Sequence, residues 1–340
     1  LIMGPELLIP ALHDTHPEIR RHAIRIAEPW LQPSVSKYHQ EMTEAVLAMA
    51  NDDDPRVILQ LAYSLGSLKG KERIQDTQSG QVLAKLVTQH QDHPQIFAAA
   101  MSSLTENNMD EVLAEAIRLE DWADSPLILK LVGQAAAFGR LDSLVTCFEK
   151  VVGDGDDPGD VASLNRVAAL IREVTRHETA WKTLTKVPAW QEKIAPAMTN
   201  RVARAEAILN EPDADTKSQI SAVQFLATVG AGQASVSERM ASMISPKNSP
   251  TLQSAILSAL TTMADRQTPD RLLSHWRTLT PTLQSEVTDA LLNRAEWTPA
   301  LLTALGNGTV ADRDLNAAQR ERLLRSSSED VRVRAAKLFD

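Results

Sequence analysis

The fold is decided by residues 52–65, which read DDDPRVILQLAYSL. An acidic turn leads into a proline, and apolar residues then recur at helical spacing. Proline is tolerated at the first position of a helix, because its missing N–H would have no intrahelical partner there. Asp54, directly before Pro55, is suited to cap the free amides and to favour the positive end of the helix. The segment therefore predicts an amphipathic helix that begins at Pro55.

The same pattern of turn, proline and apolar spacing recurs along the chain, as in THPEI at 15–19, DHPQI at 92–96 and DSPLI at 124–128. The spacing lies between 31 and 54 residues. Repeats of the HEAT and armadillo kind have periods of about 40–47 residues, and tetratricopeptide repeats of about 34. Each proline is therefore predicted to lead the second helix of a pair. These prolines are Pro17, Pro55, Pro94, Pro126, Pro158, Pro212, Pro250 and Pro281.

Good N-cap residues precede five of these prolines, namely Asp54, Ser125, Asp157, Ser249 and Thr280. The stretch PTLQS occurs twice, at 250–254 and 281–285, in the same phase of the repeat. A ninth segment, at 328–336, keeps the turn and the apolar pattern without a proline. The first helices of the pairs are predicted at 40–50, 81–90, 111–119, 141–151, 236–244, 271–279 and 299–305.

The repeat predicts an all-α protein, an α-solenoid (α-α superhelix) of about eight or nine HEAT-like helix pairs. We expect residues 1–340 to form a single repeat domain, because each unit buries its apolar face only against its neighbours. Two places break the rhythm. The acidic, glycine-rich stretch 152–160 indicates a hinge or a long loop, and residues 176–200 fit no single pair and indicate an irregular insertion.

Composition narrows the function classes. The chain has 35 Lys and Arg against 44 Asp and Glu, a formal net charge of −9. Such a surface repels polyphosphates, which argues against a nucleic-acid-binding protein unless basic residues gather on one face. Basic clusters do occur near both ends, and we interpret them as solvated helix faces. They contain Arg20, Arg21, Arg25, Arg320, Arg322, Arg325, Arg332 and Arg334.

The apolar stretches, such as residues 96–101, are far shorter than the roughly 18 residues that a membrane span needs. The opening residues also lack the basic and apolar regions of a signal peptide. Both ends of the chain fall within helical patterns, and we expect it to be a piece of a longer protein.

Motifs that carry chemistry are weak, and we assign no catalytic, cofactor-binding or metal residue. Asp154, Asp156 and Gly159 match three positions of a calcium loop, but Asn165 stands where the loop needs a bidentate glutamate. His13 and His16, like His90 and His93, straddle a turn before a proline, so we expect polar turn histidines rather than a metal site. The single cysteine, Cys147, lies in an apolar helix and is predicted to be core.

Tryptophan is frequent in a chain with two tyrosines. Tryptophans fill wide gaps between helix pairs, and exposed ones mark protein interfaces. We expect most of the six to be core, with Trp181 and Trp190 the first candidates for an exposed binding role. The full set is Trp30, Trp122, Trp181, Trp190, Trp276 and Trp297.

Several stretches together resemble the HEAT-repeat region of large exported bacterial proteins described as membrane-bound dehydrogenases. The middle units depart from ordinary HEAT repeats, because they lack the pair seen at Ile19-Arg20 and Val331-Arg332. The resemblance is carried by LLIPAL (7–12), PEIRRHA (17–23), DPRV (54–57), QLA (60–62), LG (65–66), AMSSL (100–104), LLTAL (301–305), QRERLL (319–324) and AAKLF (335–339).

Members of that family combine an N-terminal β-propeller, a HEAT region and a C-terminal c-type haem domain. The resemblance implies a non-enzymatic scaffold that links the other two domains. It also implies a periplasmic or otherwise exported location, although the sequence does not exclude the cytoplasm. This chain contains no Cys-x-x-Cys-His, so any haem c of the parent protein lies outside these residues. The expected partners are proteins.

Two alternatives remain open. One is a free-standing HEAT adaptor that binds a protein or peptide on its concave face. The other is an enzyme, because some HEAT-like folds are DNA glycosylases with a basic groove. The net charge of −9 argues against the glycosylase.

Overall fold

The computed structural model describes most of the chain, and the structural statements below concern that part. It contains helices and turns, and none of the described residues forms a strand. The predicted fold class is confirmed: the protein is an all-α solenoid. The described residues are 4–31, 38–66, 73–119, 125–153, 160–211, 213–230, 234–245, 247–263 and 265–339.

The chain divides into two compact units. Unit 1 contains Leu1–Lys150 and Arg172–Ile194, and unit 2 contains Val151–Ile171 and Ala195–Asp340. Two helices therefore contribute to both units, α9 (Leu141–Gly153) and α10 (Val161–Thr175).

Unit 1 holds the other helices of the first half of the chain. They are α1 (Pro5–Leu12), α2 (Pro17–Ala27), α3 (His39–Ala48), α4 (Pro55–Leu65), α5 (Arg73–Gln89), α6 (Pro94–Ser102), α7 (Met109–Leu119), α8 (Pro126–Ala137) and α11 (Glu178–Leu184).

Unit 2 holds the helices that follow. They are α12 (Ala195–Asn210), α13 (Thr216–Val229), α14 (Ala234–Ser242), α15 (Pro250–Met263), α16 (Thr268–Ser274), α17 (Pro281–Asn293), α18 (Thr298–Gly306), α19 (Ala317–Leu324) and α20 (Glu329–Phe339).

Alternate helices pack side by side, so each unit has two layers. In unit 1, α1, α3, α5 and α7 form the layer of first helices, and α2, α4 and α6 form the layer of second helices. In unit 2, α13, α15, α17 and α19 form one layer, while α14, α16, α18 and α20 form the other. This order is what a repeat array requires, because each pair buries its apolar side against the next pair.

The proline rule is confirmed at six of the eight positions, where Pro17, Pro55, Pro94, Pro126, Pro250 and Pro281 each begin a helix. The other two prolines, Pro158 and Pro212, lie outside the described residues. After the second of them the helix begins only at Thr216, and the Asp215 carboxylate caps it by accepting from the Ser218 amide at 3.0 Å. A capping aspartate at that point takes over the role that the sequence assigned to proline.

Three of the predicted caps form. The Asp54 carboxylate accepts from the Arg56 amide at 2.9 Å, and the Ser249 and Thr280 hydroxyls each accept from a backbone amide at 3.3 Å. The Ser125 side chain makes no such bond, which corrects the prediction for that residue, and Asp157 lies outside the described residues. An unpredicted cap comes from His16, whose Nδ1 accepts from the Glu18 amide at 3.3 Å.

All the predicted first helices are present, with shifted ends. The largest difference is at 81–90, where α5 begins eight residues earlier, at Arg73. The ninth segment, 328–336, is also helical, but α20 packs on α18 and therefore belongs to the layer of first helices. The reason is α19, which the sequence analysis did not identify and which packs on α17 in the place that the ninth helix was expected to take.

The two predicted irregular stretches differ. In 152–160, α9 continues to Gly153 and Asp160 precedes α10, while residues 154–159 lie outside the described part. In 176–200, the short helix α11 is followed by a π-helical turn, Trp190–Ile194, that runs directly into α12. Single π-turns of this kind interrupt α-helices and change the direction of the side chains around them.

Candidate functional site

The outer side of the second helices in unit 1 exposes apolar side chains. On α4, Leu59 and Tyr63 lie on one side of the helix because they are four residues apart. Val57 and Leu61 are fully buried on the opposite side. Tyr63 is 55% exposed, a large fraction for an aromatic residue in the middle of a packed helix.

The same surface continues over the neighbouring helices. Ala98 of α6 is exposed and Met101 is half-buried, while Ile96 and Ala100 face the core. On α8, the ammonium group of Lys130 lies 5.0 Å from the centroid of the Phe97 ring, which places α8 beside α6. We call this surface the second-helix face of unit 1. Its outer residues are Glu18, His22, Arg25, Arg56, Leu59, Tyr63, Ala98, Met101 and Lys130.

The charges of this face are strongly unbalanced. Helices α4, α6 and α8 contain no acidic residue, and α2 contains only Glu18. The basic residues of the same four helices are Arg20, Arg21, Arg25, Arg56 and Lys130. This excess is local, because the chain as a whole carries a net charge of −9.

The first helices of unit 1 have the opposite balance. On α3 and α7 acidic residues outnumber basic ones, so the two layers of this unit differ in charge. The acidic residues of these two helices are Glu41, Glu44, Asp110, Glu111 and Glu115, against Arg118.

The carboxylates on the second-helix face are already engaged. Glu18 accepts from the Arg21 guanidinium at 2.9 Å and from the Arg56 guanidinium at 2.8 Å. Asp54, in the turn before α4, pairs with Arg56 at 2.8 Å. Hydrogen bonds from the Arg56 side chain and amide lower the pKa of Asp54 to about 2. Glu18 and Asp54 are therefore neutralised locally, whereas Glu28, just after α2, accepts from the Ser64 hydroxyl at 2.7 Å and pairs with no described cation.

Two cations of the face remain without an acidic partner. Arg25 and Lys130 are exposed, and neither forms an ion pair with any residue that the structure describes. The face therefore presents unpaired positive charge beside exposed apolar side chains.

A separate ion pair holds the turns of unit 1 together. The Arg20 guanidinium donates to the two carboxylate oxygens of Asp52 at 2.6 and 2.8 Å, and to the Asp14 carbonyl at 3.0 Å. Asp52 in turn accepts from the Asp54 amide at 2.9 Å. This bidentate arrangement joins one repeat to the next and is structural.

The corresponding face of unit 2 is polar. The outer residues of α13, α15 and α17 include Gln224, Ser258 and Thr262, and several are tied to neighbouring helices. Ser254 donates to the Glu286 carboxylate at 2.8 Å. The buried Gln319 side chain donates to the Ser285 carbonyl at 3.1 Å and to Asp289 at 3.0 Å. No large apolar residue on the described part of α13, α15 or α17 is strongly exposed.

The two tryptophans singled out in the sequence lie together in unit 1. Trp190 is 5% exposed and packs edge-on against Phe148 and Trp181, with ring centroids 4.9 and 5.5 Å away. Trp190 is therefore a core residue, which corrects the expectation that it is a candidate for binding. Trp181 is half-buried and forms the outer edge of this cluster.

The other tryptophans fill gaps or lie elsewhere. Trp276 is buried and donates its indole N–H to Asp314 at 3.1 Å, and Trp297 is buried beneath the Arg294 guanidinium, 5.0 Å from the ring. Trp30 is half-buried, and Trp122 lies outside the described residues. The prediction that most tryptophans are core residues is confirmed for Trp190, Trp276 and Trp297.

The two histidine pairs lie in the turns around α1 and α5, and His16 has a structural role. The His16 ring is occupied as a helix cap, and His13 is exposed at the end of α1. Burial, with a smaller effect from His93 and Lys85, lowers the pKa of His90. Among the described residues, no three His, Cys, Asp or Glu side chains are arranged to hold a metal ion.

The calcium-like stretch and Cys147 are the remaining candidates, and their described residues have structural roles. Most of the calcium-like stretch (Asp154, Asp156, Gly159) lies outside the described residues, and Asn165 donates to the Ser221 hydroxyl at 3.2 Å. Cys147 is fully buried, and burial raises the pKa of its thiol to about 12, so it is confirmed as core. No helix within the described ranges is long and apolar enough to cross a bilayer.

The basic clusters near the two ends are mostly paired. Arg320 pairs with Asp312 at 3.3 Å and Arg325 with Glu321 at 2.5 Å. The Arg332 guanidinium donates to the Ser326 carbonyl at 2.7 Å. These contacts fit the interpretation as solvated helix faces.

Two clefts lie in unit 1, and the described residues that line them include no group of three side chains that could hold a metal ion. One, of about 520 Å³, lies between α5 and α7, where Arg118 and Glu115 pair at 2.5 Å. The other, of about 450 Å³, lies between the end of α8 and the start of α11, beside Gly139.

The second-helix face was missed in the sequence, although a signal was present. The absence of acidic residues from three successive proline-led helices can be counted without a structure. Which of their residues point outward depends on the helix register, and that requires the packing.

Comparison with known proteins supports the fold. A family model for HEAT repeats matches residues 5–105, which contain α1 to α6 and thus most of the second-helix face. The comparison with curated proteins gave no significant match.

Among solved structures, the crystal structure of Kap121p matches with a TM-score of 0.52 and 15% identity, over 99% of this chain and 37% of that one. A Kap121p mutant matches at 0.42 and 14% identity (99% and 42% covered), and Kap121p bound to RanGTP at 0.38 and 13% (100% and 45%). The chain thus spans little more than a third of Kap121p as matched in the first structure, and the likeness concerns the fold.

Proposed function

We propose that this solenoid is a non-enzymatic scaffold that binds protein through the second-helix face of unit 1. The observation that supports this most is the exposure of Tyr63, at 55%, on a face whose four helices contain one acidic residue, Glu18. Exposed aromatic side chains on a rigid surface are typical of protein interfaces. A stacked helical array also holds such residues in fixed positions, which favours recognition without rearrangement.

The state of the reactive side chains agrees with a binding role. Cys147 is buried with a pKa near 12, so its thiolate is not formed at neutral pH. The imidazole of His16 accepts a backbone hydrogen bond, and Asp52 is held by Arg20. These groups stabilise the repeats.

The finer part of the proposal concerns the parent protein. The family resemblance supports a HEAT region that joins a β-propeller to a c-type haem domain in a larger, exported, redox-type protein. In that arrangement the second-helix face is a docking surface for one of the neighbouring domains. Any haem c belongs to the parent protein outside these 340 residues, and the location is periplasmic.

Photo-crosslinking tests the proposed surface. A photoreactive benzoylphenylalanine replaces Tyr63 in the full-length gene product, and the control carries it at Thr262, on the polar face of unit 2. After illumination in cells, we expect an adduct to a defined protein or domain from position 63 and none from position 262. Equal adducts from both positions, or none from position 63, would contradict the proposal.

The parent architecture has its own test. Reading the gene on both sides of codons 1 and 340 should reveal propeller repeats upstream and a Cys-x-x-Cys-His motif downstream. A gene that encodes neither would remove the link to the redox-type parent. The alternative of a free-standing adaptor, which the same exposed face supports, would then take its place.

A further inference from the structure

We infer that the second-helix face of unit 1 recognises an acidic protein segment that carries an apolar side chain onto Tyr63. This inference rests on the proposed function and specifies the class of partner. It follows from three features of the face: its charge, the engagement of its own carboxylates and its exposed apolar centre.

The charge pattern selects an acidic partner. Basic residues of α2, α4 and α8 have only Glu18 to oppose them within those helices and α6. Glu18 is shared between two arginines, at 2.9 and 2.8 Å. Arg25 and Lys130 have no carboxylate partner among the described residues, and carboxylates brought by a partner protein would complement them.

The apolar centre selects a protein rather than a polyanion. The face presents the apolar side chains of Leu59, Tyr63 and Met101. Such side chains interact only weakly with a phosphate backbone. Nucleic-acid binding also requires many cations in a track, whereas two unpaired cations on a chain of net charge −9 give a weak electrostatic attraction. An acidic segment with a leucine or an aromatic residue uses both features of the face at once.

Unit 2 provides the internal contrast. Its second-helix face consists of hydroxyls, amides and paired carboxylates, and Glu286 and Asp289 lie among them. An acidic segment would find no exposed large apolar residue on the described part of α13, α15 or α17. On α19, which completes this layer, Leu324 is 37% exposed, but the neighbouring Arg322 and Arg325 already pair with Asp289 and Glu321. The inferred recognition is therefore restricted to unit 1.

The test begins with a random linear peptide library displayed on phage and selected on the immobilised chain at about 50 mM salt, where surface charges are weakly screened. We expect the enriched peptides to combine Asp or Glu with Leu, Phe or Trp. A representative peptide is then labelled and its affinity measured by fluorescence polarisation. Enrichment of basic or purely apolar peptides, or no enrichment, would overturn the inference.

Variants locate the peptide. Tyr63→Ser, and the double change Arg25→Glu with Lys130→Glu, should each weaken binding by about tenfold or more. The matched controls in unit 2, Val333→Ser and Lys217→Glu, should bind like the parent chain. All five sites are exposed, so we expect each variant to fold, and circular dichroism checks this.

Two outcomes separate this inference from the proposed function. A peptide whose affinity is unchanged by the unit 1 variants binds elsewhere; the inference fails, whereas the scaffold role stands. A labelled single-stranded oligonucleotide that binds as tightly as the peptide, and loses affinity in the double variant, would replace the acidic segment by a nucleic acid. The crosslinking at position 63 tests the scaffold role independently of the partner's charge.

Discussion

The two second-helix faces are built on the same local pattern and differ in what they present. In unit 1, α4 begins at Pro55 and exposes Tyr63, while in unit 2, α15 begins at Pro250 and exposes Ser258 and Thr262. The buried residues of both helices are mainly leucine, isoleucine and alanine. The fold therefore depends on the inner residues, and the outer residues are free to differ.

This difference separates stability from recognition. Burial of an apolar side chain stabilises a repeat regardless of what lies on the outside. An exposed tyrosine contributes little to that burial, and Tyr63 stands beside Leu59 on the same side of α4, so the two form an apolar patch of the kind that marks interaction sites. The polar residues on the second-helix face of unit 2 form hydrogen bonds with neighbouring helices. The apolar residues on the second-helix face of unit 1 remain at least partly exposed to solvent.

The largest expected effect contrasts two neighbouring positions of α4. Leu61 is fully buried, and Leu61→Ala should lower the free energy of unfolding by about 2–5 kcal/mol through lost burial and a cavity. Tyr63→Ala should change it by less than about 0.5 kcal/mol. Urea denaturation followed by circular dichroism measures both. A large loss of stability from Tyr63→Ala would mean that the residue is structural, and the comparison of the two faces would fail.

The next effect concerns a buried cation in unit 2. Arg201 is 1% exposed, and its guanidinium donates to the Ser163 hydroxyl at 3.2 Å and to the Val151 carbonyl at 3.4 Å. Burial, and then the nearby Arg166, lowers the pKa of Arg201. None of the described carboxylates bonds to it.

Shape and charge can be separated at this position. Arg201→Ala should cost about 2–4 kcal/mol because it leaves a cavity where the long side chain of Arg201 was buried. Arg201→Met keeps the length without the buried charge and should be about as stable as the parent chain. The same denaturation measurement applies. If the methionine variant were as unstable as the alanine variant, the hydrogen bonds of Arg201 would be essential to unit 2.

A smaller effect tests the hydrogen bonds that join neighbouring helices at the second-helix face of unit 2. The side chain of Gln319 is buried, donates to Ser285 and Asp289, and accepts from the Asn316 amide at 3.0 Å. Gln319→Ala should lower the free energy of unfolding by about 1–2 kcal/mol. Gln224→Ala, at an exposed position of α13, is the control and should have almost no effect. Equal stability of the two variants would show that the hydrogen bonds of Gln319 do not stabilise unit 2.

The smallest effect is a dependence on pH in unit 1. Burial raises the pKa of Asp52, but hydrogen bonds from Arg20 and the Asp54 amide outweigh it, so this pKa lies below its ordinary value. The stabilisation is therefore fully present above about pH 4, the unfolded value, and is lost as the pH falls through the lower folded value. Asp52→Asn should cost about 1 kcal/mol at neutral pH and remove part of the acid dependence. A variant with the parent chain's acid profile would contradict this account.

Much of the fold could be predicted from the sequence, because the signals that start each helix lie within a few neighbouring residues. A proline preceded by a capping residue and followed by spaced apolar residues specifies a helix start without reference to distant contacts, as at Pro55 and Pro281. The prediction was weaker where a helix begins without a proline. The helix α19 begins with an Asn316–Gln319 capping box instead of a proline, and it was missed.

The candidate surface was harder to predict than the fold. The sequence drew attention to tryptophan, yet Trp190 packs against Phe148 inside unit 1. Tyr63 is exposed because of its angular position on α4, and that angle is set by which side packs on α2 and α6. Composition gives the number of aromatic residues, whereas the orientation of each one is a property of the packed array.

The burial of Cys147 has a practical consequence. Because it is the single cysteine of the chain and its pKa is near 12, the native protein should be silent toward thiol-reactive dyes and spin labels. A cysteine introduced at an exposed position, such as Lys217→Cys, would then be the sole site of labelling. Pairs of such cysteines would allow distances within the solenoid to be measured in solution, without first removing the natural thiol.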